Sequence, residues 1–186
     1  MAVDNTLLSD KLKRWHKYLD EFKLPDWDEL PSIGLYMEQV TELLKTYLDY
    51  LPPELKEEQF ITPATINNYV RLKIIPKPRK KKYYRIHLAY IIMILTMKKG
   101  VAINMLGNVL PYDLDEDRVR EIYNAYVELH KTCCTYFADE VSKISAPMLG
   151  NGNDIVLSAD NQEKLIAVSA VLSGFAHLLT EKLLLL

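Results

Sequence analysis

The chain has 186 residues, of which 49% are apolar, 23 are Lys or Arg, 25 are Asp or Glu and two are Cys. A chain of this length buries roughly 70% of the surface that its unfolded form exposes, so its core needs neither disulfides nor metal. This composition excludes a disulfide scaffold, a collagen-like chain and a disordered chain. The N-terminus lacks the apolar core of a signal peptide, so we expect a cytoplasmic protein with free thiols at Cys133 and Cys134.

The charges are unevenly distributed along the chain. No Asp or Glu lies between Gln59 and Tyr112, yet this stretch carries 10 of the 23 basic residues. The flanks hold the other 13 basic residues and all 25 acidic ones. An acid-free basic centre predicts a surface that attracts a negatively charged partner, most often a phosphate backbone. A solvated basic loop explains a few lysines but not the absence of acids.

Apolar spacing predicts two helices in the first third of the chain. An amphipathic helix covers Leu7–Phe22, because apolar residues recur there every three or four positions. Prolines flank an acidic connector at 24–31, and a second helix covers Ile33–Leu51 until two prolines stop it. Residues 1–31 are therefore assigned to an N-terminal helix and connector.

The central region, residues 32–112, contains a third helix that begins at Thr62-Pro63. Threonine can cap the free N–H groups of a helix, and proline suits the first helical position. The helix runs towards Lys73, and the prolines of IIPKP prevent its continuation. The letters KPRKKK then predict the tip of a hairpin. Residues 76–85 are named the basic segment.

Helices follow the basic segment to the C-terminus, so the predicted fold class is all-α. They are a buried helix from Arg85 closed by Gly100, a short helix over Ile103–Val109, a long helix over Leu114–Ile144 and a final helix from Ser158 to about Leu183. The last two form an antiparallel hairpin in residues 113–186. The final helix has about 15 uninterrupted apolar residues, fewer than the ~20 that cross a bilayer, so no membrane partner is expected. Its apolar tail, Leu183–Leu186, favours a homodimer through the C-terminal helices.

The third helix carries two sets of candidate residues for contacts with DNA. Ile66, Tyr69 and Val70 point towards the core, and the opposite side, named the polar face, comprises Ala64, Asn67, Asn68 and Arg71. A small residue permits close approach, Asn can pair with adenine, and Arg can pair with guanine or phosphate. The same residue types are also common on solvated helix surfaces. Candidates for phosphate contacts are Thr65, Lys73, Lys77, Arg79, Lys80, Lys81, Lys82, Tyr83, Tyr84 and Arg85.

The run TPATINNYVRLKIIPKPRKKKYYRIHLAYI resembles the DNA-binding domain of MerR-type regulators. That pattern has a Thr-Ile-x-x-Tyr recognition helix, a Gly-Leu-Ile-Pro-x-Pro turn, a basic wing and a helix that begins near a tyrosine. The matching residues are Thr65, Ile66, Tyr69, Ile74, Ile75, Pro76, Pro78 and Tyr83, whereas Lys73 replaces the glycine. The region 33–112 is also similar to a family of uncharacterised Gram-positive bacterial proteins, a domain of unknown function related to this group. The resemblance implies a winged helix-turn-helix with a small β wing, double-stranded DNA as partner, and transcriptional regulation.

Metal and enzyme chemistry find little support in the sequence. His130, Cys133 and Cys134 form H-x-x-C-C on one helix, but no second cluster completes four ligands, so a packing role is favoured and no metal is expected. The remaining histidines, including His87, are expected to be satisfied or exposed. Phosphate loops, nucleophile elbows and zinc-protease motifs are all missing, so we expect neither an enzyme nor a cofactor.

Two alternatives to DNA binding remain open. One is a protein-interaction module whose winged-helix fold binds no DNA and whose apolar C-terminal helices hold a partner. The other is a small-molecule sensor or an enzyme with a cavity between the long helices. The sequence names neither an operator nor an effector.

Overall fold

A computed structural model describes residues 10, 13, 14, 16–18, 21–48, 61–98, 103, 106–110, 113–146, 173 and 176. The chain divides into two compact units. The first unit comprises Met1–Lys23 and His130–Leu179, and the second comprises Leu24–Leu129 and Thr180–Leu186. The predicted division at 31/32 and 112/113 stays a prediction, and the compact units divide the chain at other residues.

Helices dominate the described part of the chain, which confirms the all-α prediction at that level. A 3-10 turn covers Trp27–Glu29, and the α-helices are α1 (Met37–Tyr47), α2 (Pro63–Arg71), α3 (Arg85–Met97), α4 (Leu106–Val109) and α5 (Glu116–Ser145). Within the described ranges there is no regular strand, but two isolated antiparallel bridges join Leu35 to Tyr83 and Arg79 to Lys82.

Both ends of α2 are fixed by local sequence. The hydroxyl of Thr62 accepts a hydrogen bond of 3.1 Å from the amide of Thr65, which confirms the predicted helix start. At the other end, the amides of Lys73 and Ile74 donate to the carbonyls of Val70 and Tyr69. These two bonds form a Schellman motif, whose left-handed position usually holds glycine and here holds Lys73 at φ 57°.

The central helix of the second unit is α3. Ten of its 13 residues are buried, because IHLAYIIMIL is apolar almost all round. The Thr96 hydroxyl lies 2.6 Å from the Tyr126 hydroxyl on α5, and a cavity of about 10 Å³ separates Tyr90 and Met93 from Val119. That volume holds no more than about one water molecule. The predicted buried helix is confirmed.

Residues of α5 fasten the connector before α1. The Tyr123 hydroxyl donates to the Pro25 carbonyl at 2.8 Å, and the Trp27 amide donates to the Asn124 side chain at 3.1 Å. The rings of Trp27 and Tyr123 meet edge to face. Burial raises the pKa of Tyr123, so its hydroxyl remains a proton donor to Pro25. The connector is therefore a fixed part of the second unit.

Several predicted boundaries are corrected. The second helix begins at Met37 instead of Ile33, because the backbone of Leu35 pairs with Tyr83 in both directions at 2.8 Å. The next helix ends at Arg71, two residues before Lys73, because the Schellman motif closes it. The helix α3 ends at Met97, and the short helix begins at Leu106 instead of Ile103. The long helix is confirmed over Glu116–Ser145.

The first and last predicted helices lie mostly outside the described residues. Every described residue of the first between positions 10 and 21 is helical, as are Ser173 and Ala176 of the last. Within the first unit, His16 lies 3.5 Å from Asp139, and the Phe22 ring contacts the His130 ring. No described helix combines the length and apolarity needed to span a membrane.

Candidate nucleic-acid interface

The polar face of α2 is turned to solvent while the opposite side is buried. Ile66 and Tyr69 are 0% and 1% exposed, whereas Ala64, Asn67 and Arg71 are exposed and Asn68 is half-buried. The arrangement follows from the helical period, because residues on the polar face are separated by three or four positions. The buried side is confirmed for Ile66 and Tyr69, whereas Val70, predicted to point towards the core, is half-buried.

One hydrogen bond organises the polar face. The Arg71 guanidinium donates to the Asn68 side-chain oxygen at 2.7 Å. The bond restricts the long arginine side chain before any ligand arrives, which reduces the entropy lost on binding. Asn67 lies on the same face and is exposed. A planar guanidinium and an exposed carboxamide together suit hydrogen bonds to base edges in a major groove.

The tip of the basic segment is a tight two-residue turn. Arg79 and Lys82 exchange backbone hydrogen bonds of 3.0 Å in both directions, and Lys80 and Lys81 between them have φ values of 50° and 62°. This is a type I′ geometry, which normally selects Asn-Gly. Lysine adopts it at a cost of about 1–2 kcal/mol per residue. The turn thus places two ammonium groups at the tip despite backbone strain.

The second arm of the basic segment is held against the residues before α1. The Tyr83 side chain is buried at 3% exposure, and its backbone pairs with Leu35. The Tyr84 ring passes over the backbone of Gly34, where a β-carbon would lie 2.8 Å from its Cζ. Only glycine allows this approach without displacement of the ring.

A buried histidine closes the base of the basic segment. The Nδ1 atom of His87 accepts a hydrogen bond of 2.9 Å from the Tyr84 amide, and its Nε2 lies 3.1 Å from the Lys77 carbonyl. Burial is the largest influence on the pKa of His87 and lowers it. The predicted satisfied state of this histidine is confirmed, but its link to the basic segment was missed. The signal available was its place three residues after the helix cap, where a side chain can return a bond to the cap amide.

The tip of the basic segment carries several positive charges. Lys77, Arg79, Lys80 and Lys81 are exposed, and no acidic group of the described residues lies within 4 Å of them. The Lys82 ammonium lies 5.1 Å from the centre of the exposed Tyr36 ring, a cation–π contact that also leaves its charge unneutralised. Clustered unpaired cations attract a polyanion at long range.

Four of the predicted phosphate contacts are buried, half-buried or already hydrogen-bonded in the structure. Tyr83 is buried, because the short extended arm turns it towards the core. Arg85 donates to the carbonyls of Leu30 and Asp28 at 2.8 and 3.2 Å, so its guanidinium is already engaged in the connector. Thr65 is half-buried and hydrogen-bonded to Thr62. Tyr84 is half-buried beside Gly34.

The cysteine cluster is on α5, in the first unit. Cys133 is exposed, and the Cys134 sulfur lies 3.6 Å from Nδ1 of His130. Burial raises the pKa of the Cys134 thiol, which favours its protonated form. Among the described residues, no three His, Cys, Asp or Glu side chains are grouped to hold a metal ion.

The fold and the site together define a helical domain with an exposed basic turn. The chain belongs to the DUF1836 family, a domain of unknown function, which it matches over residues 25–129. The match coincides closely with the Leu24–Leu129 part of the second unit, so the family describes this compact body. The predicted similarity to a domain of unknown function is confirmed. No curated protein and no solved structure matches the chain.

Proposed function

We propose that this protein binds double-stranded DNA and acts as a transcriptional regulator in the cytoplasm. The observation that carries the proposal is the turn at Lys80 and Lys81, which holds exposed cations that pair with no acidic group of the described residues. Backbone strain persists where the surrounding structure maintains it, and it concentrates at binding sites. Phosphates of a duplex supply the matching negative charge at regular spacing.

The proposed docking follows that of a MerR-like winged helix-turn-helix. In this proposal α1 and α2, which contact each other, form the helix-turn-helix, and the basic segment forms a short β wing. The bridge between Leu35 and Tyr83 supports this assignment, because it fastens the wing to the residues before α1. The polar face then lies in the major groove, and the wing lies on the phosphates.

Binding of a labelled mixed-sequence duplex, followed by fluorescence anisotropy at 50 mM salt, tests the proposal. The variant K80Q/K81Q/K82Q is expected to bind at least about tenfold more weakly than the original chain, because three phosphate contacts lose their charge. The matched control K13Q/K17Q/K45Q removes three exposed lysines outside the site and should retain affinity. Equal losses of affinity in both variants would show that the effect comes from the net charge of the protein. The absence of any binding would exclude DNA as the partner.

We propose in addition that the protein is a homodimer through its C-terminal helices. In support, α5 exposes Cys133, Tyr136 and Phe137 close together, with the two aromatic side chains 67% and 44% exposed. Sedimentation at micromolar concentration is expected to give twice the 21.5 kDa chain mass, and Tyr136→Glu to give a smaller species. A chain mass of 21.5 kDa at all concentrations would exclude the dimer.

The protein-interaction module remains the second candidate. The residues before α1 expose apolar side chains, with Ile33 at 70% and Tyr36 at 51%. A partner that covered them would also cover Lys82, which lies over the Tyr36 ring. Failure to bind DNA at 50 mM salt would favour this candidate.

A further inference from the structure

A single side chain connects the two points at which the basic segment leaves and rejoins the second unit. His87 in α3 is 1% exposed, and its two ring nitrogens reach the Lys77 carbonyl and the Tyr84 amide. Lys77 and Tyr84 flank the turn at Lys80 and Lys81, so the imidazole closes the loop at its base. The position of the turn therefore depends on both hydrogen bonds.

Only the neutral ring satisfies both contacts. With the proton on Nε2, the ring donates to the Lys77 carbonyl, and Nδ1 accepts from the Tyr84 N–H. The imidazolium carries N–H groups at both nitrogens, so a donor would then face the Tyr84 donor. Protonation thus removes one bond and leaves a charge in a buried position.

The groups around His87 come from the basic segment and from α5. The Tyr83 ring meets the imidazole edge to face at 5.6 Å, and the Tyr84 ring lies 6.2 Å away. Arg79 of the basic segment disfavours the charged ring, whereas Glu116 at the start of α5 favours it. Burial outweighs Glu116 and the bond to the Lys77 carbonyl, so the pKa of His87 lies below its ordinary value.

We propose that His87 is a positioning residue for the basic segment, and that its protonation releases the segment and weakens DNA binding as the pH falls. This inference rests on the proposed function for its effect on DNA. The release of the segment itself is a property of the free protein and can be measured without DNA.

The direction of the pH effect follows from the two states of the chain. In the unfolded chain the histidine titrates near its ordinary pKa of about 6.5, and in the folded chain it titrates lower. Above about pH 6.5 both states are neutral, and the two hydrogen bonds stabilise the fold fully. Below it the unfolded chain takes up the proton first, so the stabilisation falls until the folded pKa is reached.

Two substitutions of His87 distinguish the effect of its hydrogen bonds from the effect of its protonation. In His87→Gln the amide oxygen can accept from Tyr84, its NH₂ can donate to Lys77, and neither group titrates. In His87→Ala both bonds are lost at every pH. His130, whose pKa burial also lowers, titrates unchanged in both variants, so its contribution cancels in the comparison.

The experiment combines amide exchange and DNA binding on the full chain between pH 7.5 and 5. The protection of the Tyr84 amide, corrected for its intrinsic exchange rate, is expected to fall in the original chain as the His87 ring titrates in NMR spectra. It should stay constant in His87→Gln and be low throughout in His87→Ala. Relative to His87→Gln, the original chain should lose about tenfold in DNA affinity at constant ionic strength.

The outcomes distinguish the inference from the proposed function. If the protection of the Tyr84 amide does not change as His87 titrates, the positioning role is overturned, whatever the result of the DNA-binding measurement. An equal pH dependence of DNA binding in the original chain and His87→Gln overturns the coupling and leaves DNA binding intact. If the protection of the Tyr84 amide is lost as His87 titrates and the protein binds no DNA at any pH, the positioning role is supported and the proposed function is refuted. If His87→Ala does not fold, His87→Gln alone decides the matter.

Discussion

Raising the salt concentration from 50 to 200 mM is expected to weaken duplex binding by about 500-fold, if the basic segment and its neighbours contact about five phosphates. Each neutralised phosphate releases condensed counterions, which gives a slope near −4.5 in a plot of log affinity against log salt. The exposed lysines and arginine of the basic segment, with Arg71 and Lys73 beside them, can supply that number of contacts. Anisotropy titrations at four salt concentrations measure the slope.

The charge variant sharpens this test. With three contacts removed, K80Q/K81Q/K82Q should follow a slope near −1.8, so the same salt change should weaken its binding only about 12-fold. The control K13Q/K17Q/K45Q should keep the steeper slope, because those lysines lie outside the site. If the two variants share one slope, the lysines at the turn do not contact phosphate.

Replacing Lys80-Lys81 by Asn-Gly is expected to stabilise the protein while it weakens DNA binding. Both lysines occupy left-handed backbone conformations, which Asn and Gly adopt at little cost. Relief of this strain should raise the free energy of unfolding by about 1–3 kcal/mol. For a chain of this size the melting temperature should rise by about 3–10 °C. Thermal unfolding followed by circular dichroism measures the shift.

A second double variant separates backbone strain from charge. K80Q/K81Q loses the same two charges, but glutamine gains nothing in the left-handed region. It should therefore match K80N/K81G in weakened DNA binding and resemble the original chain in melting temperature. Equal melting temperatures for the two variants would show that the turn stores no strain. Unchanged DNA affinity in both variants would show that the strained turn does not contribute to DNA binding.

Local sequence predicted the helices whose ends and faces depend on nearby residues. Thr62-Pro63 marked the start of α2, and residues three and four apart on that helix separated its buried side from the polar face. The apolar run after Arg85 marked α3 as buried. In each case the determining contacts lie within a few positions along the chain, where periodicity and capping reveal them.

Contacts between distant residues explain where the structure differs from what the sequence suggested. The spacing of Leu35 and Tyr36 fits a helix, yet Leu35 is extended, because it pairs with Tyr83 far along the chain. Tyr83 was grouped with its exposed neighbours, although successive side chains of an extended segment point to opposite sides. Arg85 looked available for phosphate, but the connector residues Leu30 and Asp28 engage it. The pattern of charged residues in a sequence indicates the sign of the charge on a surface. It does not reveal which basic side chains already have partners in the fold.

The close passage of Tyr84 over Gly34 also limits how this surface can vary between related sequences. Any side chain at position 34 would have to displace a ring on the arm that His87 and Leu35 hold in place. The lysines at the tip meet no such obstacle, because their side chains extend into solvent. Mutation can therefore change the charge and reach of the tip wherever the new residue tolerates the left-handed backbone, whereas a side chain at position 34 would require the Tyr84 ring to move.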